Sequence, residues 1–176
     1  TLLYDKQLAL GAKMGQFCGW EMPIYYKSII AEHLTVRRRV GVFDVSHMGR
    51  IEVTGPHADQ FLEYVSTNGI IDRPDYSATY TILASEKGGC IDDTIVYRVS
   101  GERVFTVANA CNRTRDYEHL RKLSKKFDVT VRPRYEEEGI LSVQGPNAAD
   151  VLSRILDTGL PQKPMTFMLS SFKGQQ

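Results

Sequence analysis

SATYTILASEKGGCIDDTIVYRVSGERVFTVAN, residues 77–109, reads as three runs of strand formers, SATYTILA, CIDDTIVYR and VFTVAN. The joins between them, SEKGG and VSGER, are glycine-bearing and too short for a crossover helix, which predicts an antiparallel meander. Inside the middle run stand two adjacent carboxylates, Asp92 and Asp93, of a residue type depleted in strands. Neighbours on a strand point to opposite faces. Ile91, Asp93, Ile95 and Tyr97 therefore share one face, and Cys90, Asp92, Thr94, Val96 and Arg98 the other. The parity predicts Asp93 between isoleucines on a buried face, and Asp92 among polar or cationic neighbours. Desolvating a carboxylate costs several kcal/mol unless it is paired or bound. Asp93 is thus either a structural acceptor of backbone or tyrosine hydrogen bonds or a functional group. Tyr80 on the preceding strand, Tyr97 on the face of Asp93 and Asn109 at the end of the following strand could line a pocket for a flat, nitrogen-rich heterocycle.

Outward from the meander, helix signals alternate with strands. Ser28 can cap a helix running to about Val40, with Ile30 and Leu34 four residues apart and Gly41 as its stop. The opening segment, rich in glycine and aromatics, reads as irregular or short strands. GRIEVTG is a strand closed by Gly55-Pro56, and the helix after it places Ala58, Phe61, Leu62 and Val65 on one face. Asn112 can cap a helix to about Phe127, with Tyr117, Leu120 and Leu123 inward. DVTVRPR and GILSVQG add strands, and a last helix starts at Gly145-Pro146. GRIEVTGPHADQFLEYV from Gly49 matches GILSVQGPNAADVLSRI from Gly139, with Gly55-Pro56 over Gly145-Pro146 and Leu62 over Leu152. These are two chance copies of a common strand–turn–helix join or, the better reading, two related α/β units. An α+β fold with antiparallel sheets and packed helices follows. Residues 1–50 and 136–176 are assigned to one unit and 51–135 to a second that carries the aspartates.

The 176 residues, 42% hydrophobic and 24% charged with a net charge of +1, have the composition of an ordinary globular chain and no global pull toward nucleic acid or membrane. No apolar run approaches the ~20 residues of a membrane span, and the opening residues do not read as a signal-peptide pattern. Cys18, Cys90 and Cys111, odd in number and without a CxxC pair, read as reduced thiols rather than a disulfide frame or a zinc site. Asp44, Ser46 and His47 are too crowded on one extended segment to form a hydrolase triad, and His47 alone reads as structural more readily than as a general base. Residues 112–134 carry eight Lys/Arg against three Asp/Glu. No RNP, KH or zinc-finger signature accompanies them, so solvent or an acidic protein partner is expected there rather than nucleic acid. No phosphate loop, dinucleotide fingerprint or metal-ligand cluster is present.

ALGAKMGQFCGWEMPIYY, SIIAEHLTVRRRVGVFDVSHMG, KGGCIDDTIVYR and VANACNRTRD, in this order, resemble the T-proteins of the glycine cleavage system, the tetrahydrofolate-dependent aminomethyltransferases. The resemblance runs from about Leu2 to Leu160. It implies the aminomethyltransferase folate-binding fold, cut short at the C-terminus. It also implies a catalytic role for Asp93 beside the folate, in a pocket that includes Met48, Tyr80, Tyr97 and Asn109. The reaction implied moves the methylene of an aminomethyl group, held on the lipoyl arm of the H-protein, to tetrahydrofolate as co-substrate, releasing ammonia without a metal. The family continues through a stretch resembling SRTGYTGEDG and a C-terminal barrel that supplies further folate ligands, so these 176 residues alone are expected to be inactive. The resemblance also implies a cytoplasmic location in a bacterium or the mitochondrial matrix in a eukaryote. Two alternatives keep the fold: the folate domain of a dimethylglycine or sarcosine dehydrogenase, and a non-catalytic folate-dependent iron–sulfur assembly protein. The latter should carry a KGC-x-x-GQ motif, whose cysteine the terminal KGQQ lacks.

Overall fold

A computed structural model describes residues 1–172; the terminal KGQQ lies outside the described residues. The chain forms two compact units. Of the described residues, the first takes Thr1–His47, Gly139–Leu160 and 169–172; the second takes Met48–Glu138 and Pro161–Met168.

In the first unit the opening segment contains a helix, α1 (Tyr4–Ala9), before the hairpin β1 (Lys13–Phe17) and β2 (Trp20–Tyr25). Irregular chain or short strands were expected there, without a helix. α1 is a short helix that buries only Gln7, so it shows no apolar periodicity to read. α2 (Ile29–Arg38) begins at the Ser28 cap, whose hydroxyl accepts from the Ala31 amide at 3.3 Å. Glu32 closes the same turn by accepting the amides of Tyr26, Lys27 and Ser28. These bonds, Lys27's foremost, hold its carboxyl below the usual range despite some desolvation. β3 (Gly41–Asp44) pairs antiparallel with β9 (Leu141–Gln144), which leads into α5 (Ala148–Leu152).

The second unit is a five-stranded antiparallel sheet in the order β5-β6-β7-β4-β8. β4 (Gly49–Thr54) feeds α3 (Ala58–Val65), which carries the chain to the far edge. There β5 (Ser77–Ala84), β6 (Cys90–Ser100) and β7 (Arg103–Ala108) form the expected meander back to β4. α4 (Arg113–Leu123) and a short 3-10 turn then lead to β8 (Thr130–Pro133) on the other edge. α3 buries Ala58, Phe61, Leu62 and Val65, the four residues its periodicity selects. With Ile51, Val53, Leu120 and Leu123 they form one core between the helices and one sheet face.

The repeat is visible locally. Gly55 and Gly145 both take a left-handed φ, 130° and 124°, and each carbonyl receives the amide three residues on. A Cβ at Gly55 would lie 2.6 Å from the Asp128 carbonyl oxygen, and one at Gly145 would lie 2.4 Å from that of Arg39. Only glycine fits either corner.

Arg50 is buried and ties the two ends of the long insert that makes up most of the second unit. Its guanidinium donates to the Met48 carbonyl (3.1 Å), the Tyr135 carbonyl (2.9 Å) and the Glu138 carbonyl. The Arg134 amide donates to the Arg50 carbonyl at 2.8 Å.

Of the cysteines, Cys90 is a free, exposed thiol, whereas Cys18 and Cys111 are not free. The expectation of three reduced thiols is corrected for those two, because an odd count and wide spacing do not reveal the state of an individual thiol. Among the described residues no helix is long and apolar enough to cross a membrane.

Candidate functional site

The sheet of the second unit has a helix-covered face and an open face, and the two aspartates divide between them in the reverse of the expected sense. Asp92 is the buried one, 6% exposed, on the core face with Thr94 and Val96; Asp93 lies exposed on the open face with Ile95 and Tyr97. The alternation is as expected but its inside and outside are exchanged, for a reason that hydropathy hides. The core face of the meander is lined with threonines: Thr79, Thr81, Thr94 and Thr106 are all buried. The hydroxyls of Thr81, Thr94 and Thr106 are hydrogen-bonded within the fold. Thr94 and Thr106 meet at 2.5 Å, Thr94 also donates to the Val107 carbonyl, and Thr81 accepts the amides of Thr67 and Asn68. A hydrogen-bonded threonine is cheap to bury. Ile91 and Ile95 on the other face therefore do not mark the core.

On the open face Asp93 is held at both oxygens. Tyr80 Oη donates to Oδ2 at 3.0 Å, and Asn109 Nδ2 donates to Oδ1 at 3.0 Å. The bond to Asp93 in turn raises the Tyr80 phenol above its ordinary pKa. Both partners are neutral, so the carboxylate keeps its charge toward the open side. Tyr97 lies four residues along β6, about 13 Å away at 3.3 Å per residue. Its ring stacks on Phe105 (centroids 4.7 Å, 4° between planes), and Phe167 meets that stack edge-on at 5.6 and 5.8 Å. A shallow cleft of about 240 Å³, lined by Asn68, Arg73, Tyr80 and Met165 among others, opens beside Tyr80.

Four of the five expected site residues thus share this face: Tyr80, Asp93 and Asn109 through hydrogen bonds, and Tyr97 as part of an aromatic wall. Met48, half-buried, reaches the same end of the sheet by register. The strand following it pairs Gly49 with Ala108, the residue before Asn109. Phe105, Phe167 and Asp116 had not been singled out. Phe105 and Phe167 carry no sequence signal of their own. Asp116 does carry one, as an acid on the Leu120–Leu123 stripe of α4. It is completely buried, and neither of its oxygens receives a donor.

Asn112 was expected to cap α4 with its side chain. It sits at the cap position but makes no side-chain cap bond; its Nδ2 donates instead to Asp92 Oδ1 at 2.8 Å. His47 is buried, with Phe17 edge-on at 5.7 Å, and burial lowers its pKa although the charge of Asp44 opposes this. Ser46 Oγ exchanges hydrogen bonds with the Ile140 backbone, while Asp44 accepts from Thr1, Gln7 and the Ser46 amide. The serine hydroxyl thus meets both the Ile140 backbone and the Asp44 side chain, whose acid it helps hold below the usual range. In the basic stretch, Lys126 pairs with Glu86 at 3.0 Å and Arg113 lies over the Tyr135 ring at 4.3 Å.

Residues 3–173 match the family model described as the GCVT N-terminal domain. An aminomethyltransferase of Thermotoga neapolitana is 44% identical over 160 residues, a match covering 91% of this chain and 44% of the relative. The crystal structure of the glycine cleavage system aminomethyltransferase T from Bartonella henselae superposes with a TM-score of 0.83 at 37% identity, covering 88% of this chain and 42% of that one. A heterotetrameric sarcosine oxidase from Corynebacterium sp. U-96, at 14% identity and TM-score 0.56, shares the fold alone. The chain spans less than half the length of the aminomethyltransferases it matches.

Proposed function

The chain belongs to the GCVT N-terminal domain family, and on that premise we propose that it forms the folate-facing part of a tetrahydrofolate-dependent aminomethyltransferase. The observation that carries this reading is Asp93, an exposed carboxylate oriented at both oxygens by neutral donors and leaving its charge uncompensated toward the open face. Such a group can accept a hydrogen bond from a ring N–H of the folate, raising the nucleophilicity of the adjacent nitrogen. It can also stabilise the iminium-like charge that develops as ammonia leaves the aminomethyl carbon. The Tyr97–Phe105 stack, with Phe167 against it, supplies an apolar, aromatic wall suited to a flat heterocycle. Tyr80, Asn109 and Met48 complete the binding set. The aminomethyl group comes from the lipoyl arm of an H-protein, and the products are methylene-tetrahydrofolate, the free dihydrolipoyl thiol and ammonia.

This reading is favoured over the dehydrogenase-type folate domain by the 44% identity to an aminomethyltransferase, against 14% to the sarcosine oxidase. The test is a chimera in which this chain is continued by the part of the Thermotoga neapolitana relative beyond the match. Supplied with an aminomethyl-loaded lipoyl carrier, it is expected to release ammonia only when tetrahydrofolate is added. Release that ignores tetrahydrofolate overturns the proposal.

A further inference from the structure

Behind the open face, the carboxamide of Asn109 bridges two carboxylates. Its Nδ2 lies 3.0 Å from Asp93 Oδ1, 3.1 Å from the Asp93 carbonyl oxygen and 3.1 Å from Asp92 Oδ1, so its two N–H groups are shared between the two aspartates. The Asn109 amide also donates to Asp92 Oδ2 at 3.2 Å, and Asn112 Nδ2 to Oδ1 at 2.8 Å. With the carboxamide turned over, its carbonyl oxygen would face two carboxylates. The negative charges on Asp92 and Asp93 together therefore dictate which end of the Asn109 side chain meets Asp93, and Asp92 fixes it from the buried side.

Asp92 can hold that charge only if its buried neighbour does not compete. Asp116, on the first turn of α4, faces Asp92 within hydrogen-bonding reach. Both Asp116 oxygens are buried without a donor, so a deprotonated carboxylate there would be an unsatisfied charge beside another. As a carboxylic acid it becomes a donor, and Asp92 is the acceptor it meets.

We propose that Asp116 is a positioning residue: it keeps a proton, donates it to Asp92, and through Asp92 and Asn109 sets the orientation of Asp93. Burial foremost, then the bond to Asp92 and its charge, push the Asp116 acid up to about 8, and Asp93 adds to this. Arg115, with Nε 3.9 Å from Oδ1, opposes it. α4 packs across β4 and β8, which turn Gly49, Ile51 and Val131 to the helix side. His119, farther along the helix, is engaged with the Ala84 backbone. For Asp92 burial works upward, but donation from Asp116, Asn109 and Asn112 outweighs it and leaves the carboxyl below its usual range.

The assignment of a functional outcome rests on the reading of Asp93 above, but the test needs no substrate. The side-chain amide resonances of Asn109 are followed by NMR in the 176-residue protein across the pH range on either side of about 8. In the wild type they are expected to shift with a midpoint near 8. In Asp116→Asn, whose carboxamide donates at every pH, they should stay at the wild-type low-pH position and show no such step. In Asp116→Leu, which donates nothing, they should already be displaced on the acid side. A flat wild-type titration, or the same step in Asp116→Asn, overturns the proposal. Should Asp116→Leu fail to fold, the Asp116→Asn comparison decides alone. Failure of the chimera to transfer would leave this titration untouched, and a flat titration would leave the folate reading standing.

Discussion

Asp93→Asn, introduced into the chimera, is expected to lower turnover by about 10²–10⁴-fold, the loss that follows removal of a positioned acid–base group. At 1.36 kcal/mol per decade this corresponds to about 3–5 kcal/mol of transition-state stabilisation. The substitution preserves volume but not function. Tyr80 Oη and Asn109 Nδ2 are both donors to Asp93, one at each oxygen. The new carboxamide can accept at one end only, so it loses the charge and turns an N–H toward one of the donors. Asp92→Asn makes the contrast, since Asp92 is buried beneath the sheet and holds Asn109 and Asn112 rather than facing the open side. Its cost should be about 1–3 kcal/mol of stability, as for other buried partners left unsatisfied, with a smaller loss of turnover per folded molecule. The check is turnover normalised to folded protein; equal losses for the two variants would show that the faces of the sheet do not separate chemistry from structure.

The second large effect is on stability against pH. An unfolded aspartate loses its proton near pH 3.9, whereas folded Asp116 keeps it to about 8. Between those values the folded state binds one more proton than the unfolded chain. Stability therefore falls as pH rises through this window and levels off above about 8. Asp92 works in the opposite sense: its depressed acid contributes stability that is lost only as pH falls through its low folded pKa, so it is constant from about pH 5 upward. His47 and His119, both lowered by burial, are common to the two variants and cancel from the comparison. Replacing Asp116 by asparagine removes the extra proton. On going from about pH 5 to 8 the wild type should lose a few kcal/mol relative to Asp116→Asn. Urea unfolding of both proteins at the two pH values measures this. Parallel pH dependences would mean that Asp116 is ionised in the folded protein.

Much of the architecture was legible because its signals are local. Glycine-bearing joins announce the meander, Ser28 announces α2, and the spacing of Phe61, Leu62 and Val65 announces α3 and its buried face. The site was legible in membership but not in orientation. Alternation separates Asp92 from Asp93 without saying which face a helix covers, and the buried threonines of the core face look polar in sequence. α1 was missed because a helix with one buried residue has no stripe. The link from Asp116 to Asp93 runs through α4, β6 and the end of β7, and only the fold makes those segments neighbours.

The Arg50 clasp bears on the order in which a growing or refolding chain can assemble. β3 and β9 must find each other across the whole of the intervening insert, a closure whose entropic cost rises with loop length. Until then β3 offers an open edge with Val42 and Phe43 exposed, a site where other chains could add. Once the insert has folded, Arg50 joins the backbone at Met48 to that at Tyr135 and Glu138, so the two stems that lead to β3 and β9 leave from neighbouring points. A long search becomes a short one. In refolding followed by pulsed hydrogen exchange, the amides of β3 and β9 should accordingly gain protection after those of β4 and β8, and protection in the reverse order would mean that the outer pair does not need the inner one.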